Sequence, residues 1–271
     1  MADMKATVFG AHGFVGRALT AYLRDKGYDV RESVRGDTTW RGADLGHAFY
    51  AVGLTADFRT RPFETFDAHV SLLVDILRST QFASFTYLSS TRVYATTSST
   101  DEQTPIPANS SNPDHLYNLS KLAGEAACLG SGLANARVAR LSNVFGQDLA
   151  SNNFLSDVFR EAVDTGQVHL RTSLFSEKDY VWIGDVVRAL ETIAVKSREP
   201  ITNVAFGRNT THRQLMDEIR TATGAEISVA PDAPSIIFPQ ISTTRLDALG
   251  VVGRTPLSAK VAELAAAYRR R

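Results

Sequence analysis

The chain has a single cysteine, Cys128, in 271 residues, so no disulfide can form within it and a reducing, cytoplasmic setting is expected. It also lacks an excess of either charge. With 29 basic and 29 acidic residues the formal net charge is zero, which leaves no basic field to hold a nucleic-acid backbone. No apolar run approaches the ~20 residues that cross a bilayer. The first five residues lead straight into a strand pattern without the apolar stretch of a secretory signal, so neither a membrane span nor export is expected. His, Cys, Asp and Glu never cluster at metal-ligand spacing, and no metal is expected. What is present is 44% hydrophobic residues, ample for a buried core at this length.

The pattern of those residues alternates between strand and helix. Ala6-Thr7-Val8-Phe9 reads as a short strand, residues 14–26 as a helix ended by Gly27, and residues 29–34 as a second strand. A β-turn-α-β unit of this kind demands a parallel sheet. Residues 35–45 are short and polar, too few for the strand and helix expected there. Further strands are read at 48–52, 84–89 and 136–141, with helices at 66–79, 114–129, 158–165, 185–195, 214–223 and 259–270. The expected architecture is α/β, a Rossmann-type doubly wound parallel sheet with a small C-terminal substrate-binding part. Residues 1–151 would form the dinucleotide-binding domain. Residues 152–271 would be mainly substrate-binding, with some elements returning to the Rossmann core. Cys128 falls in a helical pattern beside Ala126 and Ala127 and reads as a small core residue, not a nucleophile.

Between the first strand and helix stands Gly10-Ala11-His12-Gly13-Phe14-Val15-Gly16, a G-x-x-G-x-x-G turn. One glycine permits the turn, the next lets backbone approach a pyrophosphate, and the last lets helix pack on strand. The helix N-terminus then offers free N–H groups to phosphate. Residues 10–16, His12 included, are therefore the candidate nicotinamide-dinucleotide cradle. A carboxylate at the end of the second strand would bind the ribose diol of NAD. Val34 stands there, followed by Arg35, whose guanidinium suits a 2′-phosphate. This favours NADP. Glu32 leaves NAD open, since a shift of register would bring it to the ribose.

Tyr117 and Lys121 are four residues apart in a helical stretch, hence one turn apart on one face. A nearby ammonium favours the phenolate, letting a tyrosine exchange protons with an alcohol near neutral pH. Ser89, Ser90 and Thr91 put hydroxyls at the C-terminal end of a buried strand, where ligands bind in open α/β sheets.

Taken in order, the glycine turn, Ser89-Ser90-Thr91-Arg92-Val93-Tyr94, Tyr117-Asn118-Leu119-Ser120-Lys121-Leu122-Ala123-Gly124-Glu125 and Arg140-Leu141-Ser142-Asn143-Val144-Phe145-Gly146 carry a resemblance. The chain resembles the extended short-chain dehydrogenase/reductases, the NAD(P)-dependent epimerase/dehydratase family acting mostly on nucleotide sugars. That resemblance implies Ser90 as the hydroxyl on the substrate oxygen, Tyr117 as acid/base, and Lys121 as support for Tyr117 and the nicotinamide ribose. It implies Thr91, Asn143 and Lys178 as substrate contacts. It implies an epimerase or keto-reductase, and a homodimer formed through residues 66–79 and 114–129. The chain departs from the pattern in three places. His69 replaces an Asn, Lys178 replaces the Arg of an Arg-Asp-aromatic motif, and Thr91-Arg92 stands where dehydratases carry Asp-Glu, which argues against dehydration. Two other functions stay open: an NADPH-dependent reductase of a non-sugar carbonyl compound, and a non-catalytic NAD(P)-binding sensor or assembly protein.

Overall fold

Four of the five residues of the first strand are buried, as a strand covered on both faces requires. A computed structural model of the chain describes residues 4–55, 57–147 and 153–270. The first three residues and the expected domain boundary at 151/152 lie outside the described residues. The strands are β1 (Lys5–Phe9), β2 (Asp29–Ser33), β3 (His47–Tyr50), β4 (Ser84–Ser90), β5 (Ala136–Leu141), β6 (Asn143–Phe145), β7 (Gln167–Leu170), β8 (Glu177–Trp182), β9 (Ile201–Val204), β10 (Asn209–Thr211) and β11 (Glu226–Val229). The helices are α1 (Phe14–Asp25), α2 (Pro62–Phe66), α3 (Leu72–Ser79), α4 (Leu116–Gly130), α5 (Phe154–Thr165), α6 (Ile183–Lys196), α7 (His212–Thr223), α8 (Thr244–Ala248) and α9 (Val261–Arg269).

Six strands form one sheet in the order β2-β1-β3-β4-β5-β9, with every neighbouring pair parallel. The chain moves outward from β1 to β2 and then returns to the other side of β1 as β3. The strand order therefore reverses between β1 and β3, and such a crevice is where doubly wound sheets bind ligands. The α/β reading and its parallel sheet hold. β9 is the late element that returns to the sheet, and α6 joins its core through Val186, Val187, Leu190 and Ile193.

Three differences from the sequence reading have physical causes. The helix read at 66–79 begins earlier, at Pro62, whose missing N–H suits a first helical turn. It is also interrupted by a π turn over Asp67–Ser71. Several short strands, β6 to β8, β10 and β11, went unread because they pair outside the main sheet, in β10-β8-β6 and β11-β7. α5 and α7 start four and two residues earlier than read, where Asn153 and Thr211 cap them with side-chain oxygens. The short polar stretch 35–45 does lack a strand and helix of its own, and buried Trp40 closes it by packing edge-on against Phe9 at 6.0 Å.

A second hydrophobic cluster gathers the C-terminal elements, with Leu155, Phe159, Met216, Ile219, Leu264 and Tyr268 at its centre. Phe159 and Tyr268 stack there at 5.5 Å. Cys128 is fully buried in the main body, its thiol pushed up to about 12 by burial and by Glu125, as an inert core residue should be. Among the described residues no helix is long and apolar enough to cross a membrane, and no cluster of metal ligands occurs.

Candidate active site

The glycine turn lies at the reversal point. Gly10 has φ of +78°, and a Cβ there would meet the Ala51 carbonyl group at 2.9 Å, so only glycine lets β1 turn beside the end of β3. A Cβ on Gly16 would collide with the Gly10 carbonyl, so α1 packs against the turn only without one. Gly13 caps α1 with no side-chain hydrogen bond, and no acidic residue occupies the first turn. The helix N-terminus is thus open and free of competing negative charge, and the turn fits a dinucleotide's pyrophosphate. Phe14 and Val15 open α1 and pack on the main core. His12 is exposed on the turn, 3.6 Å from the Glu32 carboxylate. Glu32 is also held by Arg24 at 2.6 Å. Arg35 is exposed just past the end of β2.

β4 carries Ser90 to the C-terminal edge of the sheet, and there Ser90 caps the 3-10 turn Thr91–Tyr94. Its hydroxyl accepts the Arg92 backbone N–H at 3.2 Å. Thr91 is buried in the first position of that turn. α4 brings Tyr117 against it, 6% exposed. Burial raises the phenol pKa, while a hydrogen bond with the Ser90 side chain and the Arg92 charge pull it down. Three groups surround the phenol ring: Phe58 at 5.6 Å, His69 edge-on at 5.5 Å, and the Arg92 guanidinium at 5.5 Å.

Lys121 is fully enclosed. Its ammonium donates to the Leu88 carbonyl at 3.0 Å and lies over the Tyr87 ring. Burial depresses its pKa to about 7, opposed by Glu125. The cation beside the Tyr117 ring is therefore Arg92, and Lys121 turns toward β4. His69 sits on the π turn. It accepts the Leu54 N–H on Nε2 at 3.2 Å, so its Nδ1–H donates to Ser120 Oγ at 2.8 Å, and Ser120 donates on to the Tyr117 carbonyl at 2.9 Å. Burial, helped by the Lys121 charge, holds the imidazole pKa near 3 and keeps it neutral.

Not every expected residue joins this centre. The Asn143 amide nitrogen is bonded to the Asp179 carbonyl at 2.8 Å, fastening β6 to β8. Lys178, half-buried on β8, lies over the rings of Phe154 and Phe238 at 5.5 and 5.7 Å, and the charge of Arg92 reaches it. Sequence reasoning assigned no role to Phe58, Arg92 or His69. The one signal for Arg92 was its place, with Thr91, where dehydratases carry Asp-Glu.

Ser90 and Tyr117 thus lie together at the strand ends beside a glycine cradle that fits a dinucleotide, while Lys121, one helical turn on, is bonded to the Leu88 carbonyl of β4. The arrangement can exchange a proton at a substrate oxygen next to a nicotinamide ring.

The comparisons agree with this geometry. The family model described as the NAD dependent epimerase/dehydratase family matches residues 47–205. No curated protein matches the chain. Among solved structures, MoeE5 in complex with UDP-glucose and NAD superposes with a TM-score of 0.82 at 20% identity, over 98% of this chain and 99% of that one. The UDP-glucose 4-epimerase of Thermotoga maritima with UDP-glucose gives 0.81 at 19%, and RMD from Pseudomonas aeruginosa with NADPH gives 0.79 at 20%, each over 98% of this chain and 99% of its own. At such identity these likenesses establish the shared fold.

Proposed function

The chain belongs to the NAD dependent epimerase/dehydratase family, and from that premise we propose that it epimerises or reduces a nucleotide-activated sugar by hydride transfer, with Tyr117 as acid/base. The observation that carries this reading is the packing of Tyr117 against the turn that Ser90 caps at the sheet's C-terminal edge, with the Arg92 guanidinium 5.5 Å from its ring, beside the glycine cradle. The nucleotide sugars held by MoeE5 and the Thermotoga epimerase support the substrate class.

When bound, the nicotinamide cofactor supplies the hydride acceptor and donor. The backbone N–H groups at residues 10–16 hold its pyrophosphate, and Lys121 holds the nicotinamide ribose. Ser90 Oγ orients the sugar oxygen. Tyr117 Oη takes the proton of that hydroxyl as the ketone forms and returns it on reduction. Thr91 and Asn143 line the substrate side. The C-terminal elements, with Lys178, hold the nucleotide end. Arg35 binds a 2′-phosphate, which makes NADP the preferred cofactor. Glu32, its carboxylate engaged by Arg24, does not bind the ribose diol. The groove between α3 and α4, lined by Val74, Leu77, Ala126 and Ala127, is the face for a homodimer.

Two measurements test the reading. Mass spectrometry of nucleotide released from purified, denatured protein is expected to find NADP(H), or an empty site that binds NADPH more tightly than NADH. Tightly retained NAD would overturn the Arg35 assignment and favour an epimerase that regenerates its cofactor each cycle. Tyr117→Phe is expected to lower kcat at least 100-fold with cofactor binding intact. Equal turnover by that variant would refute the mechanism.

A further inference from the structure

Arg92 differs from Arg140, the buried arginine of β5. All three ends of Arg140 are matched: Nε and Nη2 bond the Glu125 carboxylate at 2.9 and 2.6 Å, and Nη1 bonds the Tyr94 hydroxyl. Arg92 is half-buried, yet among the described residues its guanidinium donates no hydrogen bond and forms no ion pair. Its bonded groups are backbone only, the N–H to Ser90 Oγ and the C=O from Asn118. Asp114, whose charge it feels, is already bonded to Arg59 at 2.5 Å. The Phe58 and Tyr117 rings, whose centroids lie 5.1 and 5.5 Å from the guanidinium carbon and 5.6 Å from each other, pack against it from one side. The guanidinium N–H donors have no hydrogen-bond partner among the described residues, and a guanidinium fork matches a carboxylate bidentately.

Lys178 repeats the pattern. It rests on two rings, makes no ion pair among the described residues, and lies within reach of the Arg92 charge. Two partly desolvated cations without a counter-anion are unfavourable unless a ligand neutralises them. Their positions differ in kind. Lys178 comes from the C-terminal elements, whereas Arg92 lies against the acid/base ring and its N–H is on Ser90.

We propose that Arg92 is a specificity-determining residue that binds a carboxylate on the sugar itself, so that the preferred substrate is a nucleotide-linked acidic sugar and not a neutral hexose. This rests on the nucleotide-sugar reading above and narrows it. The carboxylate would lie in the guanidinium plane next to the reacting carbon, positioned by two parallel N–H···O bonds that a neutral hydroxymethyl group cannot make.

The test measures kcat/KM and calorimetric binding for UDP-glucuronate, UDP-glucose and UDP, and for their dTDP counterparts, with cofactor present. The wild type is expected to prefer the acidic sugar by about 10- to 100-fold, the worth of a charged hydrogen-bond pair. Arg92→Gln should abolish that preference, and Arg92→Lys should keep part of it and serves if the Gln variant does not fold. An arginine that acts only on the Tyr117 pKa would instead lower both sugars equally and shift the pH profile of kcat/KM, and that result would overturn the proposal. A wild type that binds UDP and UDP-glucose but shows no acidic preference would overturn this inference alone. Failure to bind any of the nucleotides would overturn the nucleotide-sugar reading and this inference with it.

Discussion

Holding an ammonium where Lys121 sits costs stability. Its folded pKa of about 7 lies below its ordinary value, so the folded protein binds fewer protons than the unfolded chain between about pH 7 and 10.5. The penalty is present in full below pH 7 and is relieved as pH rises through that window. Lys121→Met is therefore expected to stabilise the fold by about 1–4 kcal/mol near neutral pH, with a gain that shrinks toward pH 10, while turnover is lost. Urea midpoints at pH 6.5 and 9.5 check the sign, and a destabilised variant would show that the ammonium is held by more than its Leu88 bond. The residues proposed to exchange the proton were found through local spacing: Tyr117 and Lys121 share a helix, and Ser90 ends a strand. Arg92 was visible in the chain but not as a ligand group. Its proposed role depends on Phe58, which packs beside it from a distant loop, and on its forming no ion pair among the described residues.

At the scale of elements, α4 must be fastened to the sheet for Tyr117 to meet Ser90. The fastening is a buried carboxylate. Glu125 accepts Ser89 Oγ from β4 at 2.5 Å and both nitrogens of the Arg140 fork from β5, linking the helix to two adjacent strands. Arg140 continues through the Tyr94 hydroxyl of the 3-10 turn to Asn203 on β9, so five elements share one polar network. Removing one member leaves a buried charge alone. Glu125→Ala is expected to cost about 3–5 kcal/mol, read as a fall in the urea midpoint at unchanged slope, whereas exposed Glu64→Ala should change it by no more than about 0.5 kcal/mol. Long elements with a full apolar stripe were readable in the sequence. β6, β10 and the other strands outside the main sheet were not, since they are only partly buried, carry no continuous apolar run and pair in part with strands distant in the chain.

For the molecule as a whole, two buried histidines set the response to acid. His69 and His212 are held neutral, with folded pKa values near 3 and 4, chiefly by burial and in each case also by a neighbouring lysine, Lys121 and Lys178 respectively. Unfolded, each would take up a proton near pH 6.5. Stability is thus full above about pH 6.5 and falls as pH drops from there toward 4, by up to about 1.4 kcal/mol per unit for each. Between pH 6.5 and 5 most carboxylates remain ionised, so the slope there belongs to the histidines. His47, also held below its ordinary value by burial, adds to the slope, so His69→Gln should reduce it by less than half, and an unchanged slope would place the proton uptake elsewhere. The π turn that carries His69 has a consequence for the chain's length. One extra residue in a helical turn rotates everything after it by roughly 100° about the axis. Leu73, Ile76 and Leu77 of α3 meet the core only in that rotated frame. Surface loops can gain or lose residues freely, but a single deletion within Asp67–Ser71 would shift the phase of α3 and swing its apolar stripe away from the core. This span is therefore fixed in number, and related chains should vary more freely at its exposed side chains than in its length.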